Sequence, residues 1–173
     1  MQKRLILLSI LLLISCKSSR QNSETPKISL GIINYDSGWI KEQGSYDSEY
    51  EPYHRARMGI WEEFYEKLKI KARGKYESDF FVQCCTGGTC DMNYSYKVGE
   101  WIYYHTNGQI KAKGKFRIRR KKIETSCEGG DYIKAGFVTN KWEFFDENGN
   151  QISPELDFIR EIENSSYVID WGN

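Results

Sequence analysis

Residues 99–116, GEWIYYHTNGQIKAKGKF, decide the fold of this 173-residue chain because their pattern recurs. The tryptophan of this stretch has counterparts at Trp61 and Trp142, 40 residues before it and 41 residues after it. The Gly-Lys-aromatic triplet at residues 114–116 has a counterpart at residues 74–76, and each triplet begins 13 residues after its tryptophan. Repeats of this period indicate an array built from one supersecondary unit.

An Asn-Gly pair at residues 107–108 lies between two runs that carry apolar residues. Such a pair is the strongest short-range signal of a β-hairpin, because both central positions of the tight turn require positive φ. The same pair stands at residues 148–149, at the same offset from its tryptophan. After the first tryptophan this offset holds Lys-Leu at residues 67–68, so that turn is degenerate.

The strand that returns from each turn alternates between two kinds of residue. One predicted face carries Ile70, Ala72, Gly74 and Tyr76, and in the next unit Ile110, Ala112, Gly114 and Phe116. The other face carries Lys69, Lys71, Arg73 and Lys75, and then Gln109, Lys111, Lys113 and Lys115. A period of two predicts half-buried strands. The glycine is expected to leave room for the tryptophan of an adjacent strand.

A fainter unit precedes these. It has a turn at residues 36–38 and places Gly44 and Tyr46 at the matching spacing, but its outgoing strand lacks a tryptophan. An atypical first repeat is expected of a cap. The outgoing strands leave an alternative open, since Trp61 and Phe64 are three residues apart. Either that strand bulges or both of its faces carry aromatic residues.

The stretch at residues 99–116 resembles the variant of the MORN repeat found in bacterial YwqK-type antitoxins. Residues 59–76 resemble it too, and Trp142 is preceded by Asn140 in place of the first glycine, a residue that tolerates the left-handed region. The resemblance covers about residues 30–153. It implies consecutive antiparallel hairpins in one elongated, curled sheet, and it implies binding or scaffolding, in some members contact with acidic phospholipids, more than catalysis.

The predicted fold class is therefore mainly β, an antiparallel meander of hairpins with a short C-terminal helix and strand as a cap. The predicted repeat domain, residues 28–153, has units near 29–46, 59–76, 99–116 and 140–153, loop insertions at 77–97 and 118–138, and a cap at 154–173. The residues expected to define the repeat are Trp61, Gly74, Tyr76, Trp101, Gly108, Gly114, Phe116, Trp142 and Gly149.

The N-terminus predicts export and lipid anchoring. Residues 1–15 join a basic start to an apolar run that is too short to span a bilayer, as in a signal peptide. The residues before Cys16 resemble the lipobox of bacterial lipoproteins, which implies cleavage there and diacylglycerol on the Cys16 sulfur. Residues 16–27 then form a lipidated, flexible tether. This predicts a cell-envelope protein held on a membrane, and Lys17 favours the outer membrane.

Composition limits the class of partner. Without the two basic residues of residues 1–15, the chain has 23 basic and 24 acidic residues, which disfavours a nucleic-acid binder. Charge is nevertheless uneven: residues 109–122 hold eight basic residues and no acid, whereas residues 142–173 hold eight acids and one base. This asymmetry indicates either an interaction surface or compensation between neighbouring parts of the fold.

Four cysteines remain after the lipobox: Cys84, Cys85, Cys90 and Cys127. An even number in an exported protein favours disulfides. Equivalent loops of a meander lie side by side, so we expect Cys84 or Cys85 to pair with Cys127 and the other to pair with Cys90. A four-cysteine zinc site and free thiols are the alternatives, although zinc usually takes two closely spaced pairs.

No catalytic, cofactor or metal site is predicted, because the sequence contains no nucleophile, zinc-protease or phosphate-loop motif. The strongest binding candidate is the basic face, whose residues are Lys69, Lys71, Arg73, Lys75, Lys111, Lys113, Lys115, Arg117, Arg119 and Arg120. Its partner would be an anionic lipid or glycan or an acidic protein, and the alternative is an ordinary solvated face. The predicted function is a non-catalytic, membrane-anchored binding module, and the alternative is an antitoxin- or immunity-type protein.

Overall fold

The computed structural model describes residues 28–47 and 55–169, so the predicted signal peptide, Cys16 and the tether lie outside the described residues. The elements are, in chain order, β1 (Ile28–Asn34), β2 (Ile40–Asp47), β3 (Ala56–Tyr65), β4 (Lys69–Cys85), β5 (Gly88–Tyr104), β6 (Ile110–Lys115), β7 (Arg117–Ile123), β8 (Asp131–Phe137), β9 (Glu143–Phe145), β10 (Gln151–Ile152), α1 (Leu156–Asn164) and β11 (Tyr167–Ile169).

The strands form an open antiparallel meander, which confirms the predicted fold class. Eight of them follow one another in the order β1-β2-β3-β4-β5-β6-β9-β10, and β11 pairs with residues 94–96 of β5, which β6 does not reach. Strands β7 and β8 form a separate two-stranded sheet that the sequence did not predict. Each predicted hairpin unit thus supplies two neighbouring strands of the main sheet.

The hairpin turns differ in type from the prediction. In the second full unit the Gly108 N–H donates to the His105 carbonyl (2.9 Å), and Gly108 has a φ of 90°. The preceding asparagine does not have positive φ, so each turn is a type I turn closed by a left-handed glycine. The same bonds occur at Gly38 and Gly149. In the degenerate turn Lys67 and Leu68 both have positive φ, a strained conformation for such side chains.

Close contact between glycine and tryptophan joins each unit to the next. A Cβ atom on Gly74 would overlap the Trp101 ring, and the same is true of Gly44 against Trp61 and of Gly114 against Trp142. In all three cases the indole N–H donates to the carbonyl one residue after the glycine, at 3.0–3.1 Å. This confirms the predicted purpose of the glycine, and it extends the pattern to the fainter first unit.

A bulge sets Trp61 and Trp101 against their glycines. The register between neighbouring units shifts at Gly59 and at Gly99, whose φ values are 68° and 66°. A left-handed glycine at this position is typical of a bulge that strengthens the local twist. The prediction that Asn140 takes this role was wrong, because Asn140 does not have positive φ and a turn from Thr139 to Trp142 replaces the bulge.

Five buried rings and the partly buried ring of Tyr46 form a continuous row, which we call the aromatic ladder: Tyr46, Trp61, Tyr76, Trp101, Phe116 and Trp142. Successive ring centroids are 5.0, 6.2, 5.2, 6.4 and 5.0 Å apart, and every contact is edge-to-face. Such pairs add about 0.5–1.5 kcal/mol each to the free energy of burial. The ladder is therefore the core that holds six neighbouring strands together, β2 to β6 and β9.

The outgoing strands carry aromatic residues on both faces. A second bulge, next to each of these turns, lies on the returning strand. Trp101 and Tyr103 lie on the ladder side, whereas Phe145 lies on the opposite, outer side beside Lys113. The extra residues of the bulges are Lys71 and Lys111. Of the two alternatives raised by the sequence, the second therefore occurs: the outgoing strand does not bulge between its tryptophan and the turn, and both of its faces carry aromatic residues.

The two insertions form strands, so the prediction of loops at residues 77–97 and 118–138 was wrong. Residues 77–97 lengthen β4 and β5 past the tryptophan–glycine contact. Residues 118–138 form most of the β7–β8 hairpin. The two hairpins enclose a second core in which Phe81, Tyr94 and Ile133 are buried. The signal in the sequence was the alternation of Met92, Tyr94, Tyr96 and Val98, all of which are buried.

Two cysteine pairs staple this second core. Cys84 lies at disulfide distance from Cys127, with Cα atoms 4.9 Å apart, and so links the two inserted hairpins. Cys85 pairs with Cys90 across the tip of the β4–β5 hairpin, with Cα atoms 6.1 Å apart. This is the pattern expected from neighbouring loops of a meander, and it uses all four cysteines that a zinc site would need.

The C-terminal helix and strand form as predicted but do not cap the last strand. Helix α1 folds back over the ladder side of the sheet, where Phe158 lies 6.2 Å from both the Tyr103 and Phe144 rings. Buried Ser166 follows it and fixes the return, since its carbonyl accepts a bond from Lys97 N–H (2.7 Å) and its hydroxyl one from Gly136 N–H (3.1 Å). The C-terminal segment therefore covers the core on the ladder side of the sheet.

Adding one methyl group at Gly74 tests the glycine–tryptophan contact. We expect Gly74→Ala to lower the free energy of unfolding by about 1–3 kcal/mol, because the Trp101 ring leaves no space for a Cβ. Lys75→Ala, at the next and exposed position, serves as the control and should change stability by less than about 0.5 kcal/mol. Urea denaturation measures both, and equal losses would contradict the contact.

The two disulfides should contribute unequally to stability. Cross-linking over a sequence separation of 43 residues stabilises by about 4 kcal/mol, whereas a separation of five gives about 2 kcal/mol. We therefore expect Cys84→Ala/Cys127→Ala to lose about twice the unfolding free energy lost by Cys85→Ala/Cys90→Ala. Denaturation of both double variants measures this, and the reverse order would refute the assignment.

Candidate binding surface

Most of the predicted basic face is occupied by interactions within the protein. On the outer side of the sheet Arg73 pairs with Glu62 (3.5 Å) and Lys113 with Glu143 (3.0 Å). Lys75 pairs with Glu77 at 3.2 Å. The amino group of Lys69 donates to the Thr106 carbonyl (3.1 Å). Acidic residues thus neutralise Arg73, Lys75 and Lys113, two of them from neighbouring outgoing strands, and a backbone carbonyl binds Lys69.

Two members of the predicted basic face do not lie on it. The Lys111 amino group lies 3.8 Å from the centre of the Phe158 ring, on the ladder side of the sheet. Lys71 occupies the equivalent bulge and lies 6.0 Å from the Tyr65 ring. The bulge interrupts strict alternation and turns these side chains away from their neighbours, so the prediction of a uniform face was wrong at both positions.

Further cations that have no carboxylate partner among the described residues lie where β6 ends and in β7. They are Lys115, which is exposed, and the cations of β7, which we call the basic strand: Arg117, Arg119, Arg120, Lys121 and Lys122. All of the basic strand except Lys121 is exposed. Within the part of the chain that the structure describes, none of these five side chains has an ion pair with a carboxylate.

Phe116 directs the chain into the basic strand. Its N–H donates to the Gly99 carbonyl (3.0 Å), and its ring is fixed in the aromatic ladder. The chain therefore leaves the main sheet at this point and begins β7, which pairs with β8 from Arg117 opposite Phe137 onward. On its other side β7 has no strand neighbour among residues 28–47 and 55–169, so it presents an open edge.

Aromatic rings, and not carboxylates, hold the cations of the basic strand. The Arg119 guanidinium lies 5.8 Å from the Phe137 ring, and that of Arg120 lies 4.9 Å from the Tyr132 ring. The Lys121 amino group lies 4.7 Å from the Tyr167 ring. Cation–π contacts of this kind contribute about 0.5–1 kcal/mol at exposed sites and leave the positive charge unneutralised.

A cleft of about 270 Å³ opens beside the start of the basic strand. Its lining includes the cations Arg117 and Arg119 and the polar residues Thr139, Asn140 and Glu163. The Glu163 carboxylate accepts a hydrogen bond from the Val138 N–H (2.9 Å), so its position is fixed by the backbone. The cleft therefore offers two cations and several hydrogen-bonding groups next to one anchored carboxylate.

A buried ion pair beneath the ladder side was not predicted from the sequence. Lys97 is 1% exposed, donates to Glu63 at 2.8 Å and lies 4.0 Å from the centre of the Trp101 ring. Burial raises the pKa of Glu63, but the ammonium of Lys97 outweighs this effect and holds that pKa below its ordinary value. Burial also lowers the pKa of Lys97, against the opposing attraction of Glu63.

The same arrangement occurs one unit earlier. Arg57 stands four residues before Trp61, as Lys97 stands four residues before Trp101, and it pairs with Glu42. Its guanidinium lies 4.7 Å from the Trp61 ring. A basic residue at this position in two units, with acids at residues 42 and 63, was the signal in the sequence. Both pairs are internal to the fold and present no charge to a partner.

His105 has a structural role. Its Nε2 lies 2.9 Å from the Phe145 carbonyl, which can only accept, so this nitrogen carries the proton and donates. Tyr35 and Tyr65 occupy the same position in earlier units and donate to the carbonyls of Phe64 (2.7 Å) and Tyr104 (3.0 Å). The histidine thus bonds one unit to the next.

Among the described residues no group of three or more His, Cys, Asp or Glu residues is arranged to hold a metal ion. None of the helices there is long and apolar enough to cross a membrane. A scan against protein-family models, a search of curated proteins and a search of solved structures find no match to this chain.

Removing one partner of the buried pair tests its role. We expect Lys97→Met to lower the unfolding free energy by about 3–5 kcal/mol, because Glu63 is left buried without a counter-charge. The double variant Glu63→Leu/Lys97→Met should recover most of this loss. Lys134→Met, which breaks the more exposed pair with Asp79, is the control and should cost at most about 1 kcal/mol. A double variant no better than the single one would refute the coupling.

Proposed function

We propose that this protein is a lipid-anchored, non-catalytic binding module of the bacterial cell envelope that engages an anionic partner through the basic strand. The proposal combines the lipobox-like sequence at Cys16, the MORN-like character of the hairpin units and the charge of β7. One observation carries the binding surface: five cations stand within seven residues of an exposed strand, and none is paired with a carboxylate in the described part of the chain.

The contrast with the outer face of the main sheet supports this choice of surface. There Arg73 and Lys113 have carboxylate partners on neighbouring strands. A solvated face of a stable sheet is expected to look like that, with both signs of charge interspersed. The basic strand concentrates one sign instead, and such a field attracts anionic ligands and steers their approach.

The geometry of the cations also supports binding. Rings on β8 and β11 restrain Arg119, Arg120 and Lys121 without neutralising them. Restrained side chains lose less rotational freedom when they meet a partner, which lowers the cost of association. The neighbouring cleft adds Arg117 and the polar groups of Thr139 and Asn140, which suit carboxylate, phosphate or sulfate oxygens.

A triple substitution tests this function with soluble polyanions as probes. We expect the full chain to bind polyglutamate and a sulfated polysaccharide with an affinity that falls as salt rises, because exposed charges are screened. Arg119→Ser/Arg120→Ser/Lys122→Ser should weaken binding by about 3- to 150-fold, since each exposed charge contact contributes about 0.2–1 kcal/mol. Fluorescence titration at two salt concentrations measures both effects.

The matched control removes three cations from the outer face. Arg73→Ser/Lys75→Ser/Lys113→Ser changes the net charge by the same amount but affects residues that already have carboxylate partners. We expect it to retain binding within about threefold, since paired surface charges contribute little. If both triple variants lose affinity equally, attraction depends on net charge alone and the assignment to the basic strand is wrong.

A further inference from the structure

The cleft beside the basic strand is lined by charges of both signs. The guanidinium groups of Arg117 and Arg119 and the carboxylate of Glu163 line the same space of about 270 Å³. Opposite charges on neighbouring elements form ion pairs elsewhere on the surface, as Arg73 does with Glu62 (3.5 Å). Within the described part of the chain, neither arginine of the cleft forms an ion pair with Glu163 or with another carboxylate. The cleft therefore holds complementary charges that do not satisfy each other.

Glu163 is held in place by the backbone and offers a second oxygen to a cation. Its Oε1 accepts a hydrogen bond from the Val138 N–H (2.9 Å), and its Oε2 has no donor among the described residues. Glu163 also lies in the last turn of α1, which contains no basic residue. The C-terminal end of a helix dipole is negative and attracts cations. An ammonium group placed here would therefore be attracted by the carboxylate and by the helix end together.

The two guanidinium groups are positioned by the β7–β8 hairpin. Arg117 lies opposite Phe137 in the register, and Arg119 follows two residues later, so both side chains point to the same side of the hairpin. The Arg119 guanidinium lies 5.8 Å from the Phe137 ring, which also lines the cleft. The ring restrains the side chain without using its N–H donors. Two planar guanidinium groups on one side of a strand suit an oxyanion with several oxygens.

We propose that the cleft binds a phosphoryl group joined through a short linker to a primary ammonium, as in phosphoethanolamine. The phosphoryl oxygens would accept hydrogen bonds from Arg117 and Arg119, and the ammonium would donate to Glu163. A phosphoryl group suits two guanidinium groups better than a carboxylate does, because it offers more acceptor oxygens. A simple anion would be repelled by Glu163, and a simple amine would be repelled by the arginines.

The volume of the cleft limits the ligand to a small group. Sites for drug-sized molecules have about 300–1,000 Å³, and this cleft has about 270 Å³. It therefore suits a headgroup or the end of a chain, and not a segment of a polymer. The inference rests on the proposed function for the availability of Arg117 and Arg119, which belong to the basic strand. Glu163 distinguishes the two, since a purely anionic ligand gains nothing from it.

Calorimetric titration of the full chain with small soluble probes tests the cleft. We expect phosphoethanolamine to bind about tenfold more tightly than inorganic phosphate, since its ammonium adds a charge-assisted hydrogen bond. Glu163→Gln keeps an oxygen for the Val138 N–H but removes the charge, so it should abolish this preference without weakening the binding of inorganic phosphate. Glu161→Gln, at an exposed position of the same helix outside the cleft, is the matched control and should keep the preference.

Two further probes identify the source of the ligand. Glycerophosphoethanolamine carries the phosphodiester of a lipid headgroup, and glycerophosphocholine has the same phosphodiester but no ammonium N–H. Tight binding of the first and not of the second supports the cleft and assigns a lipid headgroup to it. Binding of phosphoethanolamine and of neither diester supports the cleft and assigns a soluble phosphomonoester.

The outcomes separate this inference from the proposed function. Equal affinities for phosphoethanolamine and inorganic phosphate overturn the inference, and so does a preference that Glu163→Gln leaves intact. A chain that binds polyglutamate through Arg119 and Arg120 but does not bind phosphoethanolamine also overturns it, while the proposed function is retained. A chain that does not bind polyglutamate, but prefers phosphoethanolamine until Glu163 is changed, supports the cleft and refutes the proposed function.

Discussion

The close approach of tryptophan to glycine is the constraint on which the rest of the structure depends. Each indole ring occupies the space that a side chain would fill at Gly44, Gly74 or Gly114, and its N–H bonds to the backbone next to that glycine. The contact is steric and directional at once, so it fixes both the register and the distance between units. The ladder of rings and the turn-to-turn bonds from Tyr35, Tyr65 and His105 follow from that register.

This constraint also explains why the repeat tolerates large changes elsewhere. Extending β4 and β5 past the tryptophan contact adds a second core without disturbing the first, and the Cys84–Cys127 link closes that addition. The buried pair of Lys97 and Glu63 is tolerated because it, too, leaves the tryptophan–glycine contact undisturbed. In the next unit the position of Glu63 is taken by Tyr103, whose ring packs on Trp101, so a charged residue can give way to an aromatic one at this site while the glycine does not change.

The parts of the fold that depend on local spacing could be predicted, and those that depend on contacts distant in sequence could not. The spacing of Trp101 and Gly114 was sufficient for the meander, because the contact repeats at a fixed period. An Asn-Gly pair suits two turn types, so the sequence left the φ of Asn107 undetermined and the prediction was wrong. Lys71 and Lys111 sit in bulges that strict alternation ignores. The carboxylate partners of Arg73 and Lys113 lie on other strands, so the sequence alone did not show that the charge of that face is neutralised. That the cations of β7 lie apart from these carboxylates depends on the order of the strands in the sheets.

The ends of the array follow from where the tryptophan–glycine contact stops. After Trp142 the chain supplies no further glycine at the matching offset, β10 is two residues long, and α1 folds back over Phe144. At the other end β1 has Gly31 against Trp61 and Tyr46, yet no tryptophan of its own to extend the ladder. The helix therefore covers the ladder side of the sheet at one end of the array, whereas among the described residues β1 is the first strand at the other end.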